Sequence, residues 1–432
     1  MPMNLWKECI LATNDYQVYH LYNLAVSIAA FFLKIVALFN PKIQLFVQGR
    51  KSTWTTLTQN ISAEDRVLWI HTASLGEYEQ GLPIIEQLKE VYPSHTLLLS
   101  FFSPSGYEVK KKNTIADCTI YLPLDTRKNV SKFLKIAHPE LAIFVKYEVW
   151  PGYLRQLDRA GTPTLLVSAL FKKNHVFFRW YGGFMRNALK AFTHFFVQDK
   201  DSETRLHGIG FRNVTISGDT RFDRVSKILE RDNSLDFMMQ FKQEYPCFIA
   251  GSTWPEDEAI LIPHINSDNS STKYVLAPHN IKTEQINILK KSFSKNVMLY
   301  SEITSETLKD TEVLIIDTIG LLTKIYSYAD IAYVGGGFGN KGLHNTLEPA
   351  VFGIPVIIGP HYNGFKEAED LVSQKGIIVV TSTKAFEQQM THFLSDAVYL
   401  KKTGDINSTY INASIGATSQ IMDHIKTCIV PL

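Results

Sequence analysis

Fourteen short apolar runs, each separated from the next by a helix-length or turn-rich stretch, set the strongest limit on how this chain can fold. The first seven are Val67–His71, Thr96–Phe101, Thr119–Leu122, Leu141–Val145, Thr164–Ser168, Phe195–Gln198 and Val214–Ser217. Between the first two, IIEQLKEVYP places Ile84, Ile85, Leu88 and Val91 on one helical face and closes at Pro93. Strand, helix, strand in that rhythm predicts a parallel sheet with helices on both faces. The alternation pauses at the polar, helix-like stretch FDRVSKILERDNSLDFMMQFKQEYP. It then resumes with CFIAGS, KYVLAPH, KNVMLY, EVLIID, IAYVGGG, IPVIIGP and GIIVV.

A chain of 432 residues exceeds one ordinary core. The expected organisation is an N-terminal anchor and connection over 1–50, a Rossmann-like domain over 51–217 and a second over 218–432, with a cleft between the two domains. The chain ends in a helix-like segment, counted with the second domain, that can cross back to the first. Four cysteines (Cys9, Cys118, Cys247, Cys428) are scattered without CxxC pairing, which speaks against a zinc site or disulfide framework and suits a reducing compartment.

The net charge of +2 is divided unevenly. Residues 1–200 hold 23 Lys+Arg and 15 Asp+Glu, or +8; the remainder hold 21 and 27, or −6. A basic N-terminal half suits an anionic surface. With no basic arm or nucleic-acid motif, phosphorylated lipid or membrane is the expected partner, not nucleic acid. The run LYNLAVSIAAFFLKIVALF (Leu21–Phe39), broken by Asn23 and Lys34, is long enough to reach roughly 28 Å as a helix. It lacks the basic lead and small-residue cleavage site of a secretory signal. Lys42, Arg50 and Lys51 follow and would keep the rest of the chain cytoplasmic. A span, and a helix lying in the interface with its lysine snorkelling, both fit this pattern. Arg179, Arg186 and Lys190 in FFRWYGGFMRNALKAF fit a membrane-facing surface as well as an amphipathic core helix.

Several strand ends carry chemistry. HTASLGEYEQ takes a buried strand through small residues into a helix at Glu77, which is either a first-turn acid favoured by the helix dipole or a base at the carboxyl end of a parallel strand. VKYEVWPGYL places Lys146 and Glu148 at another strand end, where they face a cleft or pair with each other. Arg221, in SGDTRFD, can grip a phosphate or carboxylate bidentately. In YVGGGFGNKGLHNTLEP a glycine cluster leads through Asn345, Thr346 and Leu347 to Glu348. Glycines admit close backbone approach, and free helix amides suit an anion; the pattern is not GxGxxG. Pro278 and His279 end a strand, Ile319, Gly320 and Leu321 precede a helix, and Ser252 and Thr253 sit at a further turn.

Taken in order, QGRK, HTASLGE, YEVWP, FVQDKDSETRLHGIGF, SGDTRFD, AGSTWPEDE, DTIGLL and GLHNTLEP resemble the 3-deoxy-D-manno-octulosonic acid (Kdo) transferases of Gram-negative bacteria over nearly the whole chain. The resemblance implies an α/β GT-B fold with an N-terminal membrane-associated helix. It also implies transfer of Kdo from CMP-Kdo to a lipid A precursor (lipid IVA), inverting and metal-independent with no cofactor, at the cytoplasmic face of the inner membrane in lipopolysaccharide biosynthesis. Glu77 is then the general base. Arg221 stands where the family uses a lysine, and Pro278, His279, Ile319, Gly320, Leu321, Asn345, Thr346, Leu347 and Glu348 hold CMP. Three departures bear on the site: KYEVWP replaces E-T-E-L-W-P, so Lys146 takes an acidic position and Glu148 is its alternative; His279 replaces an arginine; and DTIGLL lacks a glutamate that follows its glycine in some members. A GT-B enzyme using a UDP-sugar and a noncatalytic lipid-binding relative are the alternatives.

Overall fold

A computed structural model describes residues 3–112, 115–303 and 308–429, with side chains from residue 17 onward. Two helices come first, α1 (Met3–Val36) and α2 (Pro41–Asn60). Asn40 starts α2 by accepting hydrogen bonds from the amides of Lys42 and Ile43, and Pro41 supplies a preset φ at its first position. α2 buries Phe46, Thr53 and Leu57, and the Thr53 hydroxyl donates to the Tyr121 carbonyl at 2.9 Å.

The chain divides into two compact units, Met1–Asp223 with Gly416–Leu432, and Arg224–Ile415. The first holds β1 (Val67–Thr72), β2 (Thr96–Phe101), β3 (Cys118–Tyr121), β4 (Pro139–Val145), β5 (Thr164–Ala169), β6 (His194–Val197) and β7 (Val214–Ile216). All pair in parallel, in the order β3-β2-β1-β4-β5-β6-β7. β1 is buried at every position, as expected for a strand covered on both faces. α3 (Leu75–Val91) covers one face, burying Ile84, Ile85 and Leu88 and starting two residues ahead of Glu77. The final helix, Ala417–Cys428, adds Ile421, Met422 and Ile425 to that same core. Its first turn is capped by Asp223, whose carboxylate accepts from the amides of Gly416 (2.6 Å) and Thr418 (2.7 Å). The unit boundary therefore follows Asp223, and the terminal helix packs with the first sheet.

The second unit holds β8 (Cys247–Thr253), β9 (Lys273–Pro278), β10 (Val297–Leu299), β11 (Val313–Ile315), β12 (Ile331–Val334), β13 (Val356–Ile358) and β14 (Ile377–Val379). They form a second parallel sheet in the order β10-β11-β9-β8-β12-β13-β14. The fourteen apolar runs of the sequence are thus the fourteen strands seen among the described residues, and the two Rossmann-like units are as expected.

Strand order locates the chemistry. In the first sheet connections run outward from β1 in one direction and from β4 in the other; in the second they diverge from β8 and β12. Open α/β sheets bind ligands at the carboxyl ends of strands where the order reverses.

Candidate functional sites at the two switch points

β1 ends at Thr72, and the chain enters α3 through Ser74. Glu77 sits in the first turn of α3, and its carboxylate, largely buried, is hydrogen-bonded by the Ser74 hydroxyl. β4, the neighbour of β1, delivers Lys146, whose ammonium lies 4.0 Å from Glu77 Oε1. Lys146 adopts φ +70°, a left-handed conformation that costs a non-glycine residue energy. Two residues on, Glu148 turns elsewhere. Its Oε2 lies 3.6 Å from Nε2 of the buried His71 and accepts from the Trp150 indole at 3.1 Å. His71 in turn meets Ser100 Oγ at 2.9 Å, which also accepts from the Trp69 indole at 2.8 Å. Lys146 and Glu148, open to mutual pairing on sequence alone, therefore part: the lysine faces Glu77 and the glutamate faces His71.

Arg221 belongs to the same unit. Its guanidinium donates to Asp219 Oδ2 from Nε (2.9 Å) and from the terminal amine (2.8 Å), while its own amide donates to Oδ1. Asp219 is buried and accepts from Gln80 of α3 at 3.3 Å, so the Arg221 segment is tied to the helix that begins with Glu77. Nothing in the sequence marks Gln80 and Asp219, or His71 and Glu148, as partners, since the members of each pair lie far apart along the chain.

The second unit builds its site around Asp257, fully buried in the first turn of the helix Pro255–Ser267. Its carboxylate accepts from the Trp254 amide (2.9 Å), the Gly336 amide (2.8 Å) and the Tyr333 hydroxyl (2.7 Å), pinning the loop after β8 to the glycine loop after β12. The glycines are sterically required: a Cβ on Gly335 would stand 2.3 Å from the Ser252 carbonyl, and one on Gly337 would stand 2.7 Å from the Gly359 amide.

Around this frame the expected donor residues converge in two linked groups. His279, following Pro278 at the end of β9, stacks on Trp254 at 4.5 Å and lies 4.6 Å from His344. The Trp254 indole donates to His344 Nε2 at 3.0 Å. Burial pushes the His344 pKa down to about 4, with the neighbouring His279 adding to it, and burial lowers His279 too. Both rings are thus neutral near pH 7, and His344 Nε2 is an acceptor. Next in the chain, Asn345 donates to Glu348 at 3.1 Å and accepts from the Leu347 amide at 3.1 Å, while Thr346 and Leu347 are buried. Glu348 also accepts from Thr323 at 3.2 Å, which joins it to the stretch containing Gly320 (φ +96°) and the exposed Ile319. Leu321 leads into the helix Leu322–Ile325 that carries Thr323. Trp254, Asp257 and Thr323 are the builders that sequence reasoning passed over. Their signal was present for Asp257 alone, as an acid three residues after a strand-to-helix turn. Among the described residues, no group of three or more His, Cys, Asp or Glu is placed to hold a metal ion.

Two parallel-sheet Rossmann-like units with switch-point sites are the GT-B architecture. Solved structures of that architecture match it: the UDP-GlcNAc 2-epimerase of Neisseria meningitidis (TM-score 0.60, 15% identity, 84% of this chain and 100% of that one) and Acinetobacter baumannii MurG (TM-score 0.54, 11% identity, 84% and 99%). Residues 47–224 match the family model of 3-deoxy-D-manno-octulosonic-acid transferase (kdotransferase). The 3-deoxy-D-manno-octulosonic acid transferase of Haemophilus influenzae is 28% identical over 375 residues, covering 83% of this chain and 86% of that protein. That of Aquifex aeolicus is 29% identical over 355 residues, covering 80% and 91%. Over most of its length the chain is thus similar to 3-deoxy-D-manno-octulosonic acid transferases, and the family model matches its N-terminal part.

Proposed function

We propose that this chain transfers Kdo from CMP-Kdo to a lipid A precursor, lipid IVA, with inversion at the anomeric carbon and Glu77 as the general base. The observation that carries this reading is the placement of Glu77 at the carboxyl end of β1, beside Lys146 from β4, at a reversal of strand order. In the reaction an acceptor hydroxyl oxygen attacks the anomeric carbon, the bond from that carbon to the CMP phosphate breaks, and CMP leaves with its electron pair. The hydroxyl proton passes to the Glu77 carboxylate. Donor carboxylate and leaving phosphate are both anionic, so Lys146 and Arg221 act by stabilising negative charge that shifts as the bond breaks.

CMP is held in the second unit. The neutral His279 and the Asn345–Glu348 turn present hydrogen-bonding groups to base and ribose, and the loops around Gly320 and Gly336 admit backbone close to the ligand. Glu148, held by His71 and Trp150, keeps the β4 loop in shape. The protein works on the cytoplasmic face of the inner membrane, with the N-terminal apolar helix at the lipid surface.

The test is mass spectrometry of a tetra-acylated, bis-phosphorylated lipid A precursor incubated with detergent-purified protein. CMP-Kdo is supplied beside matched UDP-sugars, with a Glu77→Ala control. A Kdo increment that disappears in the variant supports donor and base together. An increment with a UDP-sugar alone, or none with any donor, overturns the reading.

A further inference from the structure

Among the described residues, α1 contains one stretch, Gln17–Val36, long and apolar enough to cross a membrane, and almost none of it is buried. The chain is tied to the first unit on both sides of the apolar run, at Tyr22 and Asn23 before it and at Arg50 in α2 after it, and that decides its topology. At the near end, Tyr22 donates to Asp125 at 2.8 Å and the Asn23 side chain accepts from the Arg127 amide at 2.6 Å. Asp125 is itself buried and accepts from the amides of Gly152 (2.8 Å) and Tyr153 (3.1 Å), so this anchorage belongs to the folded domain. At the far end, the turn after α1 leads into α2. There Arg50 donates to the Leu122 carbonyl at 2.9 Å and the Phe102 carbonyl at 2.8 Å, stacked 3.6 Å over the buried Phe46. Leu122 and Asp125 are three positions apart on the segment that follows β3.

A crossing helix would put these two anchorages on opposite sides of a bilayer, which a single loop cannot occupy. From Leu24 to Val36 the helix also rises only roughly 20 Å, against a hydrocarbon core of about 30 Å. We infer that α1 and the start of α2 form a helical hairpin that enters one leaflet from the cytoplasmic side and returns, its tip at Leu38 and Phe39. These two side chains are 77% and 83% exposed, and Leu24, Ile28, Phe31, Phe32 and Ile35 continue the uncovered apolar surface along α1. Such a face is stable against acyl chains and costly against water. The occupant is therefore the lipid of one leaflet.

The inference rests on the membrane location proposed above and on no assignment of donor, acceptor or base. Its test reads no activity, so it fails or stands independently of the transferase reading. The full chain, carrying an N-terminal epitope behind a protease site, is produced in cells, and inverted inner-membrane vesicles are prepared. Protease added outside removes the epitope completely without detergent if the hairpin is monotopic; protection until detergent is added, with the domain accessible, overturns it. In parallel, Leu38→Glu/Phe39→Glu is floated on phosphatidylethanolamine–phosphatidylglycerol vesicles. A loss of bound fraction of at least tenfold, with an unchanged thermal midpoint, is the expected result. Undiminished flotation, or a lipid-free dimer of the parent chain that the double substitution dissolves, overturns it.

Discussion

The ammonium of Lys146 lies 4.0 Å from the carboxylate of Glu77, although the two residues are separated by three strands of chain. The pair exists because β1 and β4 are sheet neighbours, His71 opposite Phe144 in register. It gives the proposed base a cationic companion at the point where negative charge moves during transfer.

Glu77→Gln keeps the side-chain shape and removes the base. Turnover should fall on the order of 10²–10⁴-fold, the range of a positioned general base. Stability should change by less than about 1 kcal/mol, since a first-turn acid contributes only that much through the helix dipole. Steady-state transfer rates and urea unfolding measured side by side check this, and a purely capping glutamate would lose stability without losing rate.

Lys146→Gly should separate function from stability in the opposite sense. Glycine adopts φ +70° without a Cβ penalty, so the variant should gain about 1 kcal/mol from the backbone. The part-exposed ion pair, worth under about 1 kcal/mol, offsets some of that gain. Turnover should drop at least tenfold, and Lys146→Arg should restore most of it. A glycine variant as active as the parent would leave the lysine with no catalytic part.

The pH dependence of stability should carry a His344 signature. Its folded pKa, about 4, lies below the ordinary 6.5, so on acidification the unfolded chain takes up the proton first. The stabilising contribution is complete above pH 6.5 and is lost progressively as pH falls towards 4. Below that, a protonated Nε2 no longer accepts the Trp254 indole hydrogen. Urea midpoints between pH 4 and 7.5 should slope accordingly, and the slope should shrink in His344→Gln. Donor affinity in the parent should weaken over the same acid range.

Asp257→Ala leaves two buried amides and a hydroxyl without their acceptor. At about 1–3 kcal/mol per stranded donor the second unit should lose several kcal/mol, and CMP affinity should fall with it as the two loops separate. Glycine substitutions give the matching contrast. Gly337→Ala forces a Cβ to within 2.7 Å of the Gly359 amide and should cost about 1–3 kcal/mol, whereas Gly208→Ala meets nothing within 4 Å in a helix and should be neutral or slightly stabilising. Thermal unfolding and calorimetric CMP titration read both effects.

Much of the architecture was legible before any coordinates. Strand runs such as VLWI and YVLAP, the turn glycines and the helix-closing Pro93 act on their immediate neighbours, so local pattern carries them. Glu77 and Glu348 could be singled out because strand-end turns place their residues at the rim of a parallel sheet whatever the rest of the chain does. The boundary of the second unit was less legible, because the helix Ala417–Cys428 is assigned by the core it fills and by Asp223, nearly two hundred positions away.

Pairings across sequence distance had no local sign. Lys146 turning to Glu77 and Glu148 to His71 follows from strand order, which is settled by covering both faces of a sheet at once. Asp257 reaching Gly336, and Tyr22 and Arg50 meeting on the segment after β3, are decided the same way, by which buried polar groups find partners when the helices close over the strands. Periodicity alone made α1 a candidate for crossing a membrane. The return of α2 to the loop that holds α1 makes it a hairpin, because a chain anchored at both ends to one rigid body cannot pass through a bilayer between them.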